Sequence, residues 1–525
     1  MHPPIESLLS ALSNKSLWPL LRMGCVGLEK ESLRVAVDGG ISEAPHPLAL
    51  GSALTNPFIT TDYSEALLEF ITPPCDSVGQ ALDFLCDTQT YVQQHMVKEI
   101  LWATSMPCVV KGEKQIPIAT YGSSNAGRMK HLYRVGLGNR YGRVMQVIAG
   151  VHFNYSFDQA FWPQWREVKD EGCVPLRAFS DAAYMGLLRN LQRVGWLIPY
   201  LFGASPAVCK SFFNEKPTRL QSFDEGTYYE PYATSLRMGD IGYQNRKEEG
   251  VGVKANYDSL DTYVASLERA IETPALIWEE IGVKVDGEYR QLNANILQIE
   301  NEYYSTVRPK QLLEGFEKPS LALLRRGIRY VELRSLDVNA YHPLGVDETQ
   351  LRFLSLLMLF CLLAESPRIS LGERREIDRN LTLVAHRGRE PGLHLIRHGS
   401  EIRLQTWARD ILHAMAPLCD VMGEDAEAYR QTLADQELKV ADAEATPSAR
   451  MLAEMLDRGE GFYQFAHRMS LQHRRYYEAR TISPERKKLF DEAVRQSIRR
   501  QAEIEAADSM DFDQFLEAYQ AQSLG

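Results

Sequence analysis

The stretch that organises this chain carries two carboxylates on one short segment: Gly27-Leu28-Glu29-Lys30-Glu31-Ser32-Leu33-Arg34-Val35. Successive side chains of a β-strand point to opposite faces, so Glu29 and Glu31 would share one face. The rise of a strand then separates the two carboxylates by about 7 Å. Either cations lie between them or their pKa values separate. The alternative is a solvated face with Lys30 and Arg34 nearby, and this stretch by itself favours that alternative.

Four further segments carry polar side chains in a strand-like pattern. They are 59–73 (Asp62, Glu65, Glu69), 151–157 (His152, Asn154, Ser156), 292–304 (Gln298, Glu300, Glu302, Tyr304) and 330–334 (Tyr330, Glu332, Arg334). In 59–73 the spacing of Glu65 and Glu69 also allows a helix, but the β-branched and aromatic residues before Pro73 favour a strand.

The residue types on these faces favour metal-dependent chemistry. A face dense in carboxylates is destabilising unless cations neutralise it. Hard oxygen ligands favour Mg²⁺, and a histidine among them also suits Mn²⁺. Metal ions that bridge phosphate oxygens fit nucleotide triphosphate chemistry, in which Arg334 would stabilise the transferring phosphoryl group. Taken singly, His152 is better explained as a core histidine and Arg334 as an ion-pair partner of Glu332, but their joint occurrence favours the metal site.

Composition and charge describe an ordinary globular protein. The chain has 525 residues, 45% hydrophobic and 24% charged, with a net charge of −11. Because phosphate contacts need clustered Lys and Arg, the lack of basic blocks argues against nucleic acid as a partner. The longest apolar run, 356–364, is far shorter than the ~20 residues that span a bilayer, so we expect no membrane partner.

The cysteines and the first residues predict a cytoplasmic protein. Eight cysteines, at positions 25, 75, 86, 108, 173, 209, 361 and 419, form no C-x-x-C pair or zinc spacing. We interpret them as reduced core thiols, with a redox-sensitive pair left open. The first residues lack the charged and apolar regions of a signal peptide.

The rest of the chain predicts a single α+β unit. Residues 105–150 are rich in Gly, Asn, Ser and Tyr, so we interpret them as long functional loops. Of two glycine-rich runs within them, 122–129 lacks the Lys-Ser/Thr of a P-loop and 136–142 lacks the Rossmann spacing. From about residue 345 the chain is mostly helical, and Ser483-Pro484-Glu485 is typical of a helix start. We therefore predict a catalytic core, 1–370, with a helical portion, 371–525, packed on it.

These motifs together resemble the proteobacterial family of glutamate–cysteine ligases. The resemblance runs from about residue 20 to 350 and rests on 27–34 (GLEKESLR), 60–73 (TTDYSEALLEFITP), 199–206 (PYLFGASP), 297–302 (LQIENE) and 330–337 (YVELRSLD). It implies a fold related to glutamine synthetase, with a curved, mainly antiparallel sheet forming a funnel and helices outside. It also implies ATP-dependent joining of the γ-carboxylate of L-glutamate to the amine of L-cysteine through a γ-glutamyl phosphate, the first step of glutathione biosynthesis.

The resemblance further implies roles for individual residues. The residues that resemble metal ligands around the ATP phosphates are Glu29, Glu31, Asp62, Glu69, His152 and Glu332. Arg334 resembles the group that meets the transferred phosphate, so Arg334 and Glu332 are the expected catalytic residues. The residues that resemble the walls of the amino-acid pockets are Tyr63, Tyr133, Arg134, Leu137, Gln146, Arg237, Tyr243 and Tyr304. Tyr63 stands where we expect Phe after the aspartate.

Three alternatives remain open. They are a ligase of the same superfamily with a different acceptor amine, a non-catalytic binding protein, and a metal-dependent hydrolase. Tyr- and Arg-rich pocket loops fit an amino-acid acceptor, and the intact carboxylates argue against a non-catalytic role. We expect a monomer that acts on small molecules. Replacing Glu31 or Glu332 by Gln should abolish ligation and hold or raise the melting temperature, because it relieves like-charge repulsion.

Overall fold

The computed structural model describes residues 9–10, 12–13, 17–96, 98–214, 216–241 and 254–523, and Tyr243 lies outside them. The strands of the described residues are β1 (Cys25–Ala36), β2 (Ile59–Thr61), β3 (Leu67–Ile71), β4 (Glu99–Leu101), β5 (Gly150–Ser156), β6 (Ala207–Cys209), β7 (Gln221–Ser222), β8 (Thr227–Tyr229), β9 (Lys284–Val285), β10 (Glu288–Tyr289), β11 (Val307–Lys310), β12 (Tyr330–Asp337), β13 (His394–Arg397) and β14 (Ser400–Arg403).

Helices make up most of the remaining described structure. They are α1 (Trp18–Arg22), α2 (Val78–Gln94), α3 (Asn125–Tyr141), α4 (Phe161–Val168), α5 (Leu176–Val194), α6 (Leu197–Phe202), α7 (Leu260–Glu272), α8 (Leu276–Glu279), α9 (Pro319–Arg326), α10 (Glu348–Leu363), α11 (Leu371–Arg387), α12 (Leu404–Met415), α13 (Ala426–Ala441), α14 (Pro447–Arg458), α15 (Phe462–Glu478), α16 (Pro484–Ala507) and α17 (Phe512–Gln520).

An antiparallel sheet lies at the centre of the fold. Its strand order is β11-β12-β5-β1-β3-β2, and β4 pairs with the far end of β1. The register places Glu29 opposite His152 on β5 and Glu31 opposite Glu69 on β3. On the other side of β5, Glu332 pairs with Asn154. The segments that the sequence assigns to polar strand faces therefore become neighbours in one sheet, except for 292–304.

The opposite face of β1 is buried, which rules out a solvated strand. Lys30 is 3% exposed and Arg34 is 0% exposed. Helix α2 packs against β1 and β3, and Lys30 Nζ donates to Gln89 Oε1 of that helix at 3.0 Å. Arg34 NH1 donates to Glu99 Oε2 on β4 at 2.7 Å. The sheet is thus covered by helices on one face and presents its carboxylates on the other.

Two local predictions are wrong. Residues 292–304 form no strand; a short 3₁₀ turn spans Glu300–Glu302, because Glu302 turns inward to a buried ion pair with Arg140 on α3. Residues 105–150 are not loops throughout, since α3 lies within them. The hydroxyl of Ser124 caps this helix by accepting from the N–H of Gly127 at 3.1 Å. Both rejected glycine-rich motifs therefore lie largely in α3.

The helical portion after residue 370 packs on the sheet-bearing part. Helix α15 contacts α2 and β4, α16 contacts α2, and α17 contacts α3. The predicted helix start at Ser483 is confirmed, because its hydroxyl accepts from the N–H of Arg486. The interpretation of all cysteines as reduced thiols is wrong for one pair, since Cys108 and Cys209 form a disulfide. Among the described residues, none of the helices has the length and apolar character needed to cross a bilayer.

Candidate active site

Three strands bring a histidine and two glutamates together. Glu29 on β1, His152 on β5 and Glu332 on β12 have side-chain ligand atoms within 4.8 Å of one another. His152 Nδ1 lies 3.2 Å from Glu29 Oε2 and 3.6 Å from Glu332 Oε1. Asn154, two residues along β5, donates from Nδ2 to Glu29 Oε1 at 2.8 Å. The alternation of β5 explains this, because His152 and Asn154 share a face.

Further carboxylates adjoin this group. Glu31 Oε1 lies 3.7 Å from His152 Nε2, and Glu31 Oε2 accepts from the N–H of Gly150 at 2.6 Å. Glu69 faces Glu31 directly across β1 and β3. The charge of Asp62 acts on both of these carboxyl groups. We call the six residues the carboxylate cluster: Glu29, Glu31, Asp62, Glu69, His152 and Glu332.

Burial is the largest influence on the pKa values of Glu69 and Glu31. Burial raises the pKa of Glu69 well above its usual range, and the carboxylates of Glu29 and Asp62 raise it further. Burial also raises the pKa of Glu31, only partly offset by His152 and Arg237. Carboxyl groups held in this state favour any cation that can enter, which is the electrostatic property of a metal site.

Positive side chains surround Glu332. Burial alone would raise its pKa, but Lys310 and Arg334 hold the pKa well below its usual range. Lys310 Nζ lies 3.4 Å from Glu332 Oε1, and Arg334 NH1 lies 3.8 Å from Glu332 Oε2. Similarly, burial would raise the pKa of Glu29, but the hydrogen bond from His152, together with the charges of His152 and Lys310, lowers it.

Sequence analysis missed Lys310 and its neighbour Arg308. Both belong to β11, which pairs with β12 so that Arg308 lies opposite Glu332 and Lys310 opposite Tyr330. Their alternation in the run 307–310 (VRPK) was the available signal, because a strand next to 330–334 with cations at every second position complements an acidic face.

Three pocket candidates lie close to Asp62: Tyr63, which follows it, and Arg134 and Leu137 of α3. Tyr63 is 1% exposed, and Leu137 of α3 is also buried. A Cβ at Gly138 would lie 2.4 Å from the Tyr63 hydroxyl, so only glycine permits this approach of α3. Arg134 donates from Nε to the backbone carbonyl of Asp62 and stacks on the Tyr121 ring at 4.7 Å.

Two further pocket candidates, Tyr133 and Gln146, lie on or just after α3. Tyr133 contacts the segment before β11. Gln298 Nε2 donates to the backbone carbonyl of Tyr133 at 3.3 Å. Gln146 lies in the 3₁₀ turn Val144–Val147 just before β5 and is buried. Tyr133, Arg134, Leu137 and Tyr63 therefore form one group, held against the 290–305 segment.

A second group surrounds Arg237. Arg237 NH2 donates to the carbonyl of Arg334 at 2.8 Å and passes over Gly150, where a Cβ would lie 2.0 Å away. Arg237 NH1 and the Tyr304 hydroxyl both reach Met238 Sδ, at 3.3 and 3.7 Å. Arg237 and Tyr304 thus meet next to Arg334, at the end of the carboxylate cluster.

Comparison with known proteins agrees with this geometry. A family model described as Glutamate-cysteine ligase matches residues 9–384. A glutamate–cysteine ligase of Azotobacter vinelandii is 45% identical over 523 residues, 99% of this chain and 98% of that protein. One from Pseudomonas aeruginosa PAO1 is 45% identical over 521 residues, again 99% and 98% of the two chains.

Solved structures give the same result. The structure of a Francisella tularensis glutamate–cysteine ligase in complex with AMP matches with a TM-score of 0.88 and 34% identity, covering 95% of this chain and 97% of that one. A bifunctional glutathione synthetase from Pasteurella multocida shares the fold, with a TM-score of 0.73 and 23% identity over 92% of this chain and 58% of that chain.

The fold is a mainly antiparallel sheet surrounded by helices, as the resemblance implies. Together with the comparisons it defines the class of protein, an ATP-dependent ligase. Within that class, the chain belongs to the glutamate–cysteine ligase family. The resemblance based on the strand motifs is therefore confirmed.

Proposed function

We propose that this chain joins the γ-carboxylate of L-glutamate to the amine of L-cysteine at the expense of ATP, releasing γ-glutamylcysteine, ADP and phosphate. Family membership supports the activity, and one observation carries the assignment of the site. Glu29, His152 and Glu332 converge within 4.8 Å beside Arg334, on the face of the sheet opposite helix α2.

The donor set of the carboxylate cluster fits divalent cations. Its members are buried or half-buried carboxylates and one imidazole, and burial raises the pKa values of two of the carboxyl groups, Glu31 and Glu69. Oxygen ligands of this kind suit Mg²⁺, with Mn²⁺ as the alternative that the histidine favours. Glu29, His152 and Glu332 would hold one ion, and Glu31, Glu69 and Asp62 would complete the metal site. Such ions would neutralise the ATP phosphates as the γ-carboxylate approaches.

Arg334 and Arg237 have different roles in the proposed reaction. Arg334 meets the transferred phosphoryl group, with its guanidinium held near Glu332. A carboxylate is a poor acyl donor, so phosphoryl transfer to glutamate gives a γ-glutamyl phosphate that the cysteine amine then attacks. To Arg237, which donates to the Arg334 carbonyl and lies 3.8 Å from Asp337 Oδ1, we assign the pairing with an amino-acid carboxylate.

The amino-acid pockets are proposed to be lined by both groups of residues described above. The set is Tyr63, Tyr133, Arg134, Leu137, Gln146, Arg237, Tyr304 and Tyr243, the last outside the described residues. These walls are largely aromatic, so the acceptor is selected by size and by its carboxylate. We further infer a monomeric, cytoplasmic enzyme with small-molecule substrates.

Phosphate release from ATP in the presence of glutamate, with each of several amines, tests the proposal. We expect cysteine to be the best acceptor and 2-aminobutyrate to follow with kcat/KM lower by about 10- to 200-fold, since a hydrophobic pocket distinguishes a thiol from a methyl group only weakly. Cysteamine should fail, because a buried arginine would lose its carboxylate partner. A cysteamine rate equal to that of cysteine would contradict the pocket assignment, and no turnover with any amine would favour a non-catalytic binding protein.

A further inference from the structure

A cavity lies in the helical part of the molecule. It has a volume of about 370 Å³ and is lined by α5, α10, α11, α12 and the β13–β14 hairpin. This volume falls within the range of small-molecule sites, about 300–1,000 Å³. Among the described residues that line it, none belongs to the carboxylate cluster or to the amino-acid pockets.

The wall of the cavity is mainly apolar and aromatic. Phe360, Ile377, Trp407 and Ile411 contribute apolar surface from three different helices. Ile411 and Trp407 are 4% and 7% exposed, so this surface belongs to the ordered core. A ligand with an apolar body, such as an aromatic ring, would replace water there at little cost.

The charged residues that line the cavity are predominantly acidic. Four acids contrast with two arginines, and the arginines are already paired. Arg193 Nε lies 2.5 Å from Glu373 Oε1, and Arg397 NH1 lies 3.6 Å from Asp410 Oδ2. The local charge therefore remains negative, because the four acids outnumber the two arginines. Glu376 accepts a hydrogen bond from the N–H of Gly399 at 3.0 Å.

One structural feature adds to this negative potential. The C-terminal ends of α5, α10 and α12 border the cavity, whereas only α11 lines it with its N-terminal half, and helix C-termini carry partial negative charge. The guanidinium of Arg397 lies 5.5 Å from the centre of the Trp407 ring and already occupies one face of the indole, so a ligand ring would contact the rest of this side chain.

We infer that this cavity binds a small organic cation, a protonated amine attached to an apolar ring. The ring would pack against Trp407 and Ile411, and the ammonium group would lie towards Glu376. The inference is independent of the proposed ligase function, because the cavity shares no residue with that site.

Isothermal titration of the intact protein with three indoles of similar shape tests this inference. Tryptamine is a cation, indole is neutral and indole-3-acetate is an anion. We expect tryptamine to bind at one site with a Kd below about 1 mM, at least about tenfold tighter than indole-3-acetate, and equally well at saturating ATP and glutamate. No binding, preference for the anion, or displacement by ATP and glutamate would overturn the inference.

Variants locate the binding site. Ala414→Phe fills the cavity and should weaken tryptamine binding at least about tenfold, whereas Thr406→Phe, an exposed position of the same helix outside the lining, should leave it unchanged. Glu376→Gln should reduce the preference for tryptamine over indole. If Ala414→Phe fails to fold, Ala364→Leu, on the other side of the cavity, replaces it. Unchanged tryptamine binding in a folded cavity-filling variant would overturn the inference.

Discussion

Glu69 and Glu332 face the same cluster, yet their pKa values move in opposite directions. Burial and neighbouring carboxylates raise the pKa of Glu69, whereas nearby cations outweigh burial and lower the pKa of Glu332. A raised carboxyl pKa means that ionisation weakens the fold at neutral pH, and a lowered one means that ionisation strengthens it. We therefore expect Glu69→Gln to raise the melting temperature of the metal-free protein at pH 7 and Glu332→Gln to lower it.

Calorimetry in the presence of a chelator measures both shifts. The gain from Glu69→Gln should disappear below about pH 4, where this carboxyl group is protonated in the folded and unfolded states. Both variants should lose ligation, and Glu424→Gln, at an exposed glutamate of the helical portion, should change neither property. Shifts of the same sign in both variants would contradict the electrostatic account.

Arg334 provides a second prediction at the residue scale. Lysine would keep the charge but lose the planar fork of donors, so we expect Arg334→Lys to lower kcat by about 10²- to 10³-fold. The phosphoryl-transfer step is followed with ATP labelled at the β,γ-bridging oxygen in the presence of glutamate alone. Scrambling of the label should slow in parallel with kcat. Arg329→Lys, at an exposed arginine just before β12, is the control, and wild-type scrambling in Arg334→Lys would exclude the proposed role.

The residues of the carboxylate cluster could be predicted because strand alternation fixes which side chains share a face. The effect of each carboxylate on stability could not be predicted from the sequence. Sequence analysis expects Glu332→Gln to hold or raise the melting temperature, but Lys310 comes from a strand whose pairing with β12 is not visible in the sequence. Whether Glu332→Gln raises or lowers the melting temperature therefore depends on Lys310, a partner about twenty residues away along the chain.

At the scale of elements, a buried ion pair ties α3 to the 290–305 segment. Arg140 NH1 lies 2.9 Å from Glu302 Oε1, and both side chains are 0% exposed. Arg140 also donates to Gln291 Oε1 and to the carbonyl of Asn293. Because removal of one partner leaves a buried charge unpaired, we expect Glu302→Ala to lower the free energy of unfolding by about 3–5 kcal/mol.

Denaturant titration measures this loss, and a double variant separates its causes. Arg140→Met combined with Glu302→Leu removes both charges, so it should cost less than the sum of the single changes. In folded Glu302→Ala, the KM for the amino acids should rise, since α3 carries Tyr133 and Arg134. Additive single effects would show that the two residues do not interact.

The same region shows why sequence analysis misassigned an element. Residues 292–304 alternate as a strand would, but Gln298 and Glu302 pair with α3 instead of facing a sheet. Alternation in the sequence indicates which side chains share a face, but it does not indicate whether a sheet or a neighbouring helix contacts that face. Likewise, 105–150 reads as loop because glycines are frequent, although Gly138 serves close packing of α3 on Tyr63.

The surroundings of His386, at the end of α11, predict that the stability of the fold depends on pH. The two carboxylates involved flank Arg237 in the chain. The His386 ring lies 2.6 Å from Glu230 Oε2 and 2.9 Å from Asp240 Oδ1. Burial would lower the pKa of His386, but these two carboxylates raise it above the ordinary value. The protonated ring therefore stabilises the fold fully below about pH 6.5, and this contribution is lost as the pH rises through the folded-state pKa.

The free energy of unfolding of the wild type relative to His386→Gln should thus fall as the pH rises from about 6.5, by a total on the order of 1–3 kcal/mol. Urea titrations at successive pH values check this. His413→Gln, at a largely exposed histidine, gives the control profile. A difference between wild type and His386→Gln that stays constant with pH would show that the pair of carboxylates does not hold the proton.

At the scale of the whole molecule, α16 and the residues that follow it pack against the sheet-bearing part. Phe490 of α16 packs against Phe58 and Phe84, with ring centres 6.1 and 5.6 Å apart. The N–H of Ser52 donates to Ser497 Oγ at 3.0 Å. Further on, the Asn125 side chain donates to the carbonyl of Met510 at 2.9 Å. These contacts support one cooperative unit in preference to a core with a dispensable tail.

Deletion of residues 484–525 should therefore prevent the remaining chain from folding, as judged by loss of a calorimetric transition and of protease resistance. The deletion removes the aromatic partner of Phe58 and Phe84, and a single Phe→Ala change in such a core costs about 3–5 kcal/mol. Phe490→Ala, the milder change, should lower stability by that amount while the protein still unfolds in one transition with its ligase activity retained. A truncated chain that folds and ligates at the wild-type rate would show instead that the sheet-bearing part is a separate domain.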